Sequence, residues 1–281
     1  MKRIVYQGTQ GSFSELAALA AFGSDVKLTG KETFLSLYEA LLAKEADIAV
    51  IPIENTLIGS IWENYDLMHQ YDIQIVGEQL LKIEHCLLGV DNSENAIKKL
   101  KRVYSHPKAL DQCRSFFRAH PWIEPVVHYD TAGAAAMLAQ RQNPEEGAIA
   151  SSQTAQIYSL HIIKKGIADN PQNYTRFLFL VKKNNGKAEG DKCTLLLTLK
   201  HQTGALATVL QNFARHAINL TKIESRPIIG KPFEYLFYID LEFQKDQKHL
   251  LDQSLEDLRG LTQSYKMLGI YNKDRLCVLG A

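Results

Sequence analysis

This chain of 281 residues contains few cysteines, has a small net charge and lacks long apolar runs. The four cysteines, Cys86, Cys113, Cys193 and Cys277, are scattered, and no pair has the spacing of a metal or redox site. We interpret them as reduced, small apolar core residues. The nine histidines are also dispersed. The sequence therefore predicts chemistry without a metal or another cofactor.

The formal net charge is +1, which offers no electrostatic basis for binding nucleic acid or an anionic membrane. The longest apolar stretches are too short to form a membrane-spanning helix. Residues 1–6 lead directly into a strand pattern, so we expect no signal peptide and a cytoplasmic location.

Strand and helix patterns alternate along the first 181 residues. The predicted strands are 4–6, 48–51 and 148–150, and the predicted helices are 14–22, 34–42, 107–117 and 131–140. Such alternation indicates mostly parallel sheets covered by helices. In these sheets ligands bind beyond the carboxyl ends of the strands, where helix N-termini present free N–H groups.

Residues 182–192 are polar and lack an apolar period, which predicts a linker between a region 1–181 and a module 193–281. The module has strand patterns at 193–199, 220–227, 233–243 and 266–271 and helix patterns at 204–216 and 250–261. This βαββαβ order predicts a ferredoxin-like unit, an antiparallel sheet with both helices on one face. Its other face or an edge would be exposed, so we expect it to pair with another copy.

Thr175 and Arg176 are adjacent in a segment that reads as a strand, because an apolar run follows them without a break. Neighbouring strand residues point to opposite faces. The two side chains therefore do not share one pocket unless a bulge or turn redirects one of them.

Several motifs occur in a recognisable order. They are Gly8–Ser14 (GTQGSFS), Pro52–Thr56 (PIENT) with Gly59-Ser60, Ser105–Cys113 (SHPKALDQC), Asp130–Ala132 with Ala134-Ala135, Ala148–Ser151 and Asn173–Phe177 (NYTRF). Together they resemble the prephenate dehydratase family over nearly the whole chain. The resemblance implies a two-lobed catalytic domain of the periplasmic-binding-protein type, with the chain returning to the first lobe near 165–181 and the active site in the cleft.

The implied reaction converts prephenate to phenylpyruvate, with loss of carbon dioxide and of a hydroxyl group. Neutral N–H and O–H donors suit it, because a strong cation beside the leaving carboxylate would oppose decarboxylation. The resemblance suggests the catalytic residues Thr175, Asn55, Thr56, Glu54 and Arg176. The substrate-binding candidates are Ser12, Ser14, Ser105, His106, Gln112, Thr131 and Ser151.

Other interpretations of these residues stay open. Ser12 and Ser14 are equally suited to capping a helix. His106 precedes Pro107 at a helix start, so it is a candidate for either a general acid or a cap. Glu54 and Arg176 are better explained as a buried ion pair than as substrate contacts.

The C-terminal module resembles an ACT domain, which implies that it binds L-phenylalanine as an inhibitor. The implied binding residues are Gly204, Ala205, Leu206, Asn219, Leu220, Glu224, Ser225 and Arg226. A glycine before a helix also suits a carboxylate independently of the family. Thr203 stands where the family has proline, and Thr9 and Gln10 replace the commoner proline and glutamate of the opening loop. The expected assembly is a homodimer or homotetramer.

Two alternative functions are compatible with these patterns. The first is an arogenate dehydratase or an enzyme of dual specificity. Segments 59–67 and 85–88 resemble the subgroup of the family in which both activities occur. The second is a non-catalytic amino-acid sensor, which would be marked by a missing threonine or asparagine in the cleft. Thr175 and Asn55 are both present.

Overall fold

The computed structural model describes residues 1–183, 189–228, 230–232 and 234–274. Cys277, Phe233 at the start of one predicted strand, residues 184–188 of the predicted linker and the end of the C-terminal module lie outside the described residues. The described chain forms two compact units, the first from 1–67 and 79–178, the second from 68–78 and the described part of 179–274.

The chain begins with the elements of the first lobe. They are β1 (Lys2–Gln7), α1 (Phe13–Phe22), β2 (Val26–Lys31), α2 (Phe34–Leu42), β3 (Ile48–Asn55), β4 (Gly59–Ser60), α3 (Trp62–Gln70) and β5 (Ile73–Lys82). The N-terminal ends of the first two helices have side-chain caps, since Ser12 accepts from the Glu15 backbone N–H and Thr33 from that of Ser36. The predicted helix 34–42 is confirmed residue for residue.

The second lobe follows. Its elements are β6 (Cys86–Gly89), α4 (Ala96–Lys99), β7 (Arg102–Ser105), α5 (Pro107–Asp111), α6 (Arg114–Ala119), β8 (Glu124–Val127), α7 (Thr131–Arg141), β9 (Glu146–Ala150), α8 (Ser152–Ile157) and β10 (His161–Lys164). Strand β11 (Tyr174–Lys182) then returns to the first sheet, whose order is β2-β1-β3-β11-β5, with β4 paired to β3. The second sheet has the order β10-β6-β9-β7-β8. The expected two-lobed α/β architecture is confirmed.

The prediction of one continuous helix over 107–117 is wrong, because the helix breaks after Asp111. The reason lies in Asp169. Its backbone N–H donates to the carbonyl of Gln112 at 2.7 Å, and its carboxylate accepts from the Ser115 N–H at 3.0 Å. The carboxylate thus starts a second helix at the point where the first one ends.

The C-terminal part of the second unit has the predicted βαββαβ order. It contains β12 (Lys192–Thr198), α9 (Ala205–Arg215), β13 (Asn219–Pro227), β14 (Tyr235–Glu242), α10 (Lys248–Leu261) and β15 (Ser264–Tyr271). Its sheet has the order β13-β14-β12-β15 with antiparallel neighbours. Val209 and Phe213 of α9 and Leu251 of α10 share one core with Leu195 and Ile239, so both helices lie on one face.

Residues 68–78, in the first half of β5 and just before it, belong to this second unit. Lys192 donates from Nζ to both carboxylate oxygens of Glu78, at 3.1 and 3.0 Å, and both side chains are buried. A Cβ atom added to Gly269 would lie 2.1 Å from the carbonyl oxygen of Ile75. Only glycine permits that close approach of the two backbones.

Candidate active site

A cavity of about 450 Å³ lies between the two lobes of the first unit. Its lining includes the end of β3, the start of β11, the loop before α1 and the N-terminal ends of α5 and α7. Of the sequence-predicted residues, it is lined by Asn55, Thr175, Ser12, Ser14, His106, Gln112 and Thr131. The strand alternation at Thr175 and Arg176 holds, because Thr175 lines the cavity and Arg176 does not.

Asn55 is held in the cavity wall by hydrogen bonds from both ends of its amide. Its Oδ1 accepts from the backbone N–H groups of Leu57 at 2.9 Å and Ile58 at 3.1 Å, which fixes the orientation of the amide. Its Nδ2 therefore faces Thr175 and Asn173, and donates to Thr175 Oγ1 at 2.9 Å and to Asn173 Oδ1 at 2.7 Å. Since the Thr175 oxygen already accepts a hydrogen bond, its own hydrogen is left to point at a ligand.

The hydrogen-bonded chain continues into the second lobe. Asn173 Nδ2 donates to Gln112 Oε1 at 3.0 Å, and the same oxygen lies 2.7 Å from His85 Nε2. Burial lowers the pKa of His85, and the hydrogen bond to Gln112 offsets only part of this effect. His85 is therefore neutral at pH 7.

The opening loop before α1 joins the two lobes. Thr9 donates to the carboxylate of Asp130 through its backbone N–H at 3.1 Å and also through its hydroxyl. Thr154 Oγ1 donates to the Gly11 carbonyl at 2.9 Å. Asp130 also accepts from the backbone N–H of Gly133 and caps α7. One carboxylate therefore holds the loop of one lobe against a helix start of the other.

The structure makes Ser12 and His106 helix caps that also line the cavity. Ser12 Oγ accepts from the Glu15 N–H at 3.4 Å, and His106 Nδ1 accepts from the Lys108 N–H at 3.2 Å. Burial lowers the pKa of His106, the charge of Lys108 lowers it further, and Asp130 opposes both effects. The capping role of both residues is therefore observed, and their contact with a ligand stays a prediction.

Three other candidates hold local structure and lie outside the cavity lining. Ser105 Oγ donates to the Ile149 carbonyl at 2.7 Å, and Ser151 caps α8 by accepting from the Thr154 N–H at 3.1 Å. Thr56 Oγ1 accepts from the Tyr174 N–H at 3.0 Å, beside Thr175. Their direct contact with a substrate stays a prediction that this geometry does not favour.

Glu54 and Arg176 form an ion pair, with 2.9 Å between Arg176 Nε and Glu54 Oε1. The side chain of Arg176 is 8% exposed and that of Glu54 is 30% exposed. Both lie next in sequence to cavity residues, Asn55 and Thr175, yet neither lines the cavity. The pair therefore links β3 to β11 on the side away from the cavity.

Sequence reasoning did not assign a role to His85 or Asn173. Both are buried, at 3% and 0% exposure, and both belong to the chain of hydrogen bonds that ends at Thr175. Asn173 stands in the same motif as Thr175. No sequence signal indicated that His85 and Gln112, which lie 27 positions apart, would meet.

The segments that resemble an effector site are in the second unit. Gly204 is the N-cap of α9 and has a φ of 80°, a backbone conformation that favours glycine. Asn219, Leu220, Glu224, Ser225 and Arg226 lie on β13, an edge strand of the described sheet. Residues on β13 alternate between exposed and half-buried, so the strand is accessible to a ligand or to another chain.

Within the described residues, no cluster of three or more His, Cys, Asp or Glu side chains is arranged to bind a metal ion. The helices in that same part of the chain all fall short of the length and apolar character needed to cross a bilayer.

Comparison with protein families gives two matches. The prephenate dehydratase family matches residues 4–185, and the ACT domain family matches residues 194–253. The chain is 35% identical over 271 residues to a bifunctional chorismate mutase/prephenate dehydratase of Aquifex aeolicus, covering 96% of this chain and 74% of that protein. It is 38% identical over 283 residues to the chloroplastic arogenate dehydratase/prephenate dehydratase 2 of Arabidopsis thaliana, covering 97% and 73%.

Two solved structures have a similar fold over nearly the whole chain. A prephenate dehydratase from Arthrobacter aurescens in complex with L-Phe has a TM-score of 0.84 and 28% identity, covering 98% of this chain and 92% of that one. A protein described as a novel type of quorum quenching acylase has a TM-score of 0.86 and 30% identity, covering 97% and 98%.

The Glu54–Arg176 pair generates a test of its role. We expect Arg176→Met and Glu54→Gln each to lower the free energy of unfolding by roughly 1–3 kcal/mol, below the cost for a fully buried pair because Glu54 is partly exposed. The double variant should lose less than the sum, since no unpaired charge remains. Urea unfolding of the two single variants and the double variant measures these free energies. Additive losses in kcat at unchanged stability would instead mean that at least one of the two contacts the substrate.

Proposed function

This chain belongs to the prephenate dehydratase family and carries an ACT domain, and we propose that its interlobe cavity converts prephenate to phenylpyruvate in L-phenylalanine biosynthesis. It is a carbon–oxygen lyase, and the reaction releases carbon dioxide and water. The observation that carries the assignment of the site is the Thr175 hydroxyl, which accepts from Asn55 and lines the cavity. We assign the protein to the cytoplasm.

Thr175 assists departure of the ring hydroxyl. Asn55 occupies one lone pair of the Thr175 oxygen, so the Thr175 hydrogen is directed at the leaving oxygen as negative charge develops on it. A threonine hydroxyl is a weak acid, and hydrogen bonding to the leaving group is its main contribution. Aromatisation of the ring supplies the driving force, so little further activation is required.

The carboxylates of the dianionic substrate are held by neutral donors. Ser12, Ser14 and Thr131 line the cavity, and helices α1 and α7 begin there. Helix N-termini attract anions through free backbone N–H groups and the helix dipole. These groups bind charge without themselves placing a strong cation on the carboxylate that leaves as carbon dioxide, although Lys108 also lines the cavity.

An arogenate dehydratase or dual-specificity enzyme is the nearest alternative, and the chloroplastic relative carries both names. The same Thr175 chemistry serves either substrate, because the two differ only in the side-chain keto or amino group. The described cavity contains hydrogen-bonding groups that suit either form.

The site geometry supports an acylase or a non-catalytic sensor less well than it supports a dehydratase. An acylase needs a nucleophile activated by a base, whereas the hydrogen bonds of His85 and His106 go to Gln112 and to the Lys108 backbone. A sensor has no need of a hydroxyl directed by an asparagine. The similarity to the protein described as an acylase still makes acylase activity a control worth measuring.

Purified protein should form phenylpyruvate from prephenate, measured by product absorbance, and a parallel reaction with arogenate gives the ratio of the two kcat/KM values. Turnover of neither substrate would overturn the proposed function and revive the sensor. Turnover of arogenate alone would replace prephenate with arogenate as the substrate.

The proposed role of the Thr175 hydroxyl predicts the effect of replacing threonine with a residue of similar shape that lacks the hydroxyl. Thr175→Val should lower kcat roughly 100-fold or more with little change in KM, while Thr175→Ser retains much of the rate. Asn55→Asp should cause a comparable loss, because the Thr175 hydrogen would then turn to the new carboxylate and away from the substrate. Steady-state kinetics on folded variants measure both. A Thr175→Val variant within a few-fold of the wild-type kcat would refute the role.

We further propose that L-phenylalanine binds the ACT domain at Gly204–Leu206 and Asn219–Arg226, between two copies in a homodimer or homotetramer. Binding inhibits only if phenylalanine has higher affinity for an arrangement of the oligomer in which the catalytic cleft is less active. The complex of the Arthrobacter aurescens enzyme with L-Phe supports this effector. The exposed edge strand β13 supports the proposed pairing of copies.

Gly204→Ala should weaken phenylalanine binding by about 10-fold or more, since Gly204 has a positive φ that alanine adopts only with strain. Uninhibited turnover should stay near normal. Gly230→Ala is a matched control, because Gly230 has a φ of 82° and an equally open environment. Calorimetry measures the affinities. Unaltered affinity in Gly204→Ala, or a wild-type enzyme insensitive to millimolar phenylalanine, would leave the domain as a dimerisation unit.

A further inference from the structure

The side-chain amide of Gln112 is held by two donors at its oxygen. His85 Nε2 lies at 2.7 Å and Asn173 Nδ2 at 3.0 Å from Oε1. Gln112 itself is half-buried, lines the cavity and stands at the break between α5 and α6. With the oxygen engaged by the wall, the nitrogen Nε2 is the end of the amide that remains for a ligand.

The direction of each hydrogen bond follows from the backbone. Two N–H groups, of Leu57 and Ile58, require Asn55 to present Oδ1 to them and Nδ2 to Asn173. Asn173 therefore accepts with Oδ1 and donates with Nδ2, which requires the oxygen of Gln112 to face it. His85 must then carry its hydrogen on Nε2. The opposite tautomer would place a lone pair against the Gln112 oxygen.

Burial keeps His85 in this neutral form, since it lowers the pKa of the imidazole. Phe13 packs edge-on against the ring, with 5.9 Å between centroids. Within the described residues, Nδ1 has no hydrogen-bond partner. The imidazole lines the cavity but is only 3% exposed, and its hydrogen bond from Nε2 goes to Gln112. We therefore expect its effect on a ligand to pass through the Gln112 amide.

We infer that His85 is a positioning residue, which locks the Gln112 amide so that Nε2 donates to the side-chain carboxylate of the substrate. This inference rests on the proposed function. Thr175 and Gln112 stand at the two ends of the chain Thr175–Asn55–Asn173–Gln112. In prephenate the hydroxyl and the pyruvyl side chain likewise stand at opposite ends of the ring.

The side-chain carboxylate is the better partner for Gln112 on chemical grounds. The ring carboxylate loses its charge as carbon dioxide departs, so a hydrogen bond to it would stabilise the ground state more than the transition state. The side-chain carboxylate keeps its charge in the product. A hydrogen bond to it contributes equally before and after the chemical step, and its loss should raise KM rather than lower kcat.

Variants at position 85 separate this role from a structural one. His85→Leu removes the donor and should raise KM for prephenate, and the inhibition constant of phenylpyruvate, by about 10-fold or more, the scale of one hydrogen bond to a charged group. The kcat should stay within about 3-fold. His85→Gln places an amide N–H near the position of Nε2 and should recover most of the affinity. His161→Leu, at an exposed histidine, is the control.

Two further measurements keep the inference testable if His85→Leu does not fold. Histidine-selective nitrogen NMR of the wild-type protein should find His85 with its hydrogen on Nε2. Gln112→Glu should preserve both hydrogen bonds from the wall but present an anion to the substrate, and so raise KM at least as much as His85→Leu.

Results that contradict the role of His85 can be distinguished from results that contradict the proposed function. If wild-type protein turns over neither prephenate nor arogenate, the function itself fails. If it is active, three results overturn the role of His85: hydrogen on Nδ1, equal losses in His85→Gln and His85→Leu, or a fall in kcat with unchanged KM and unchanged phenylpyruvate inhibition.

Discussion

The amide of Asn55 is the constraint on which the hydrogen bonding of the interlobe cavity depends. Two backbone N–H groups of the turn after β3 hold its oxygen, so its nitrogen has one orientation and two acceptors, Thr175 and Asn173. A buried amide with these bonds satisfied cannot flip without leaving donors opposed to donors. The direction of each hydrogen bond from Asn55 through Asn173 and Gln112 to His85 follows from that turn.

This network of hydrogen bonds connects the two lobes. Asn55 belongs to the first lobe and Gln112 to the second, with Asn173 between them in the returning chain. Asp130 makes a second connection by binding Thr9 of the opening loop while capping α7. Both connections are made by hydrogen bonds. Such connections suit a cleft that must admit a polar substrate and release its product.

Charged side chains both line the cavity and lie just outside it. Lys108 and Asp130 are part of the lining. The Glu54–Arg176 pair lies on strand positions next to Asn55 and Thr175 but outside the cavity lining. The alternation of a strand thus separates this ion pair by a single residue from the neutral donors proposed for catalysis. This arrangement agrees with a reaction in which a carboxylate must lose its charge.

The sequence by itself determined the fold class, the alternation of strands and helices in the first region and the βαββαβ order of the second, because apolar period, caps and turn residues are local signals. Its motifs determined the family. Tertiary structure alone decided which polar residues meet. His85, Gln112 and Asn173 come from three separate segments, and Asp169 divides a helix that its own periodicity predicts as continuous. The roles of individual site residues and the domain boundaries stay predictions. Hydrogen bonds between distant segments depend on how the chain is brought together, and no local pattern records them.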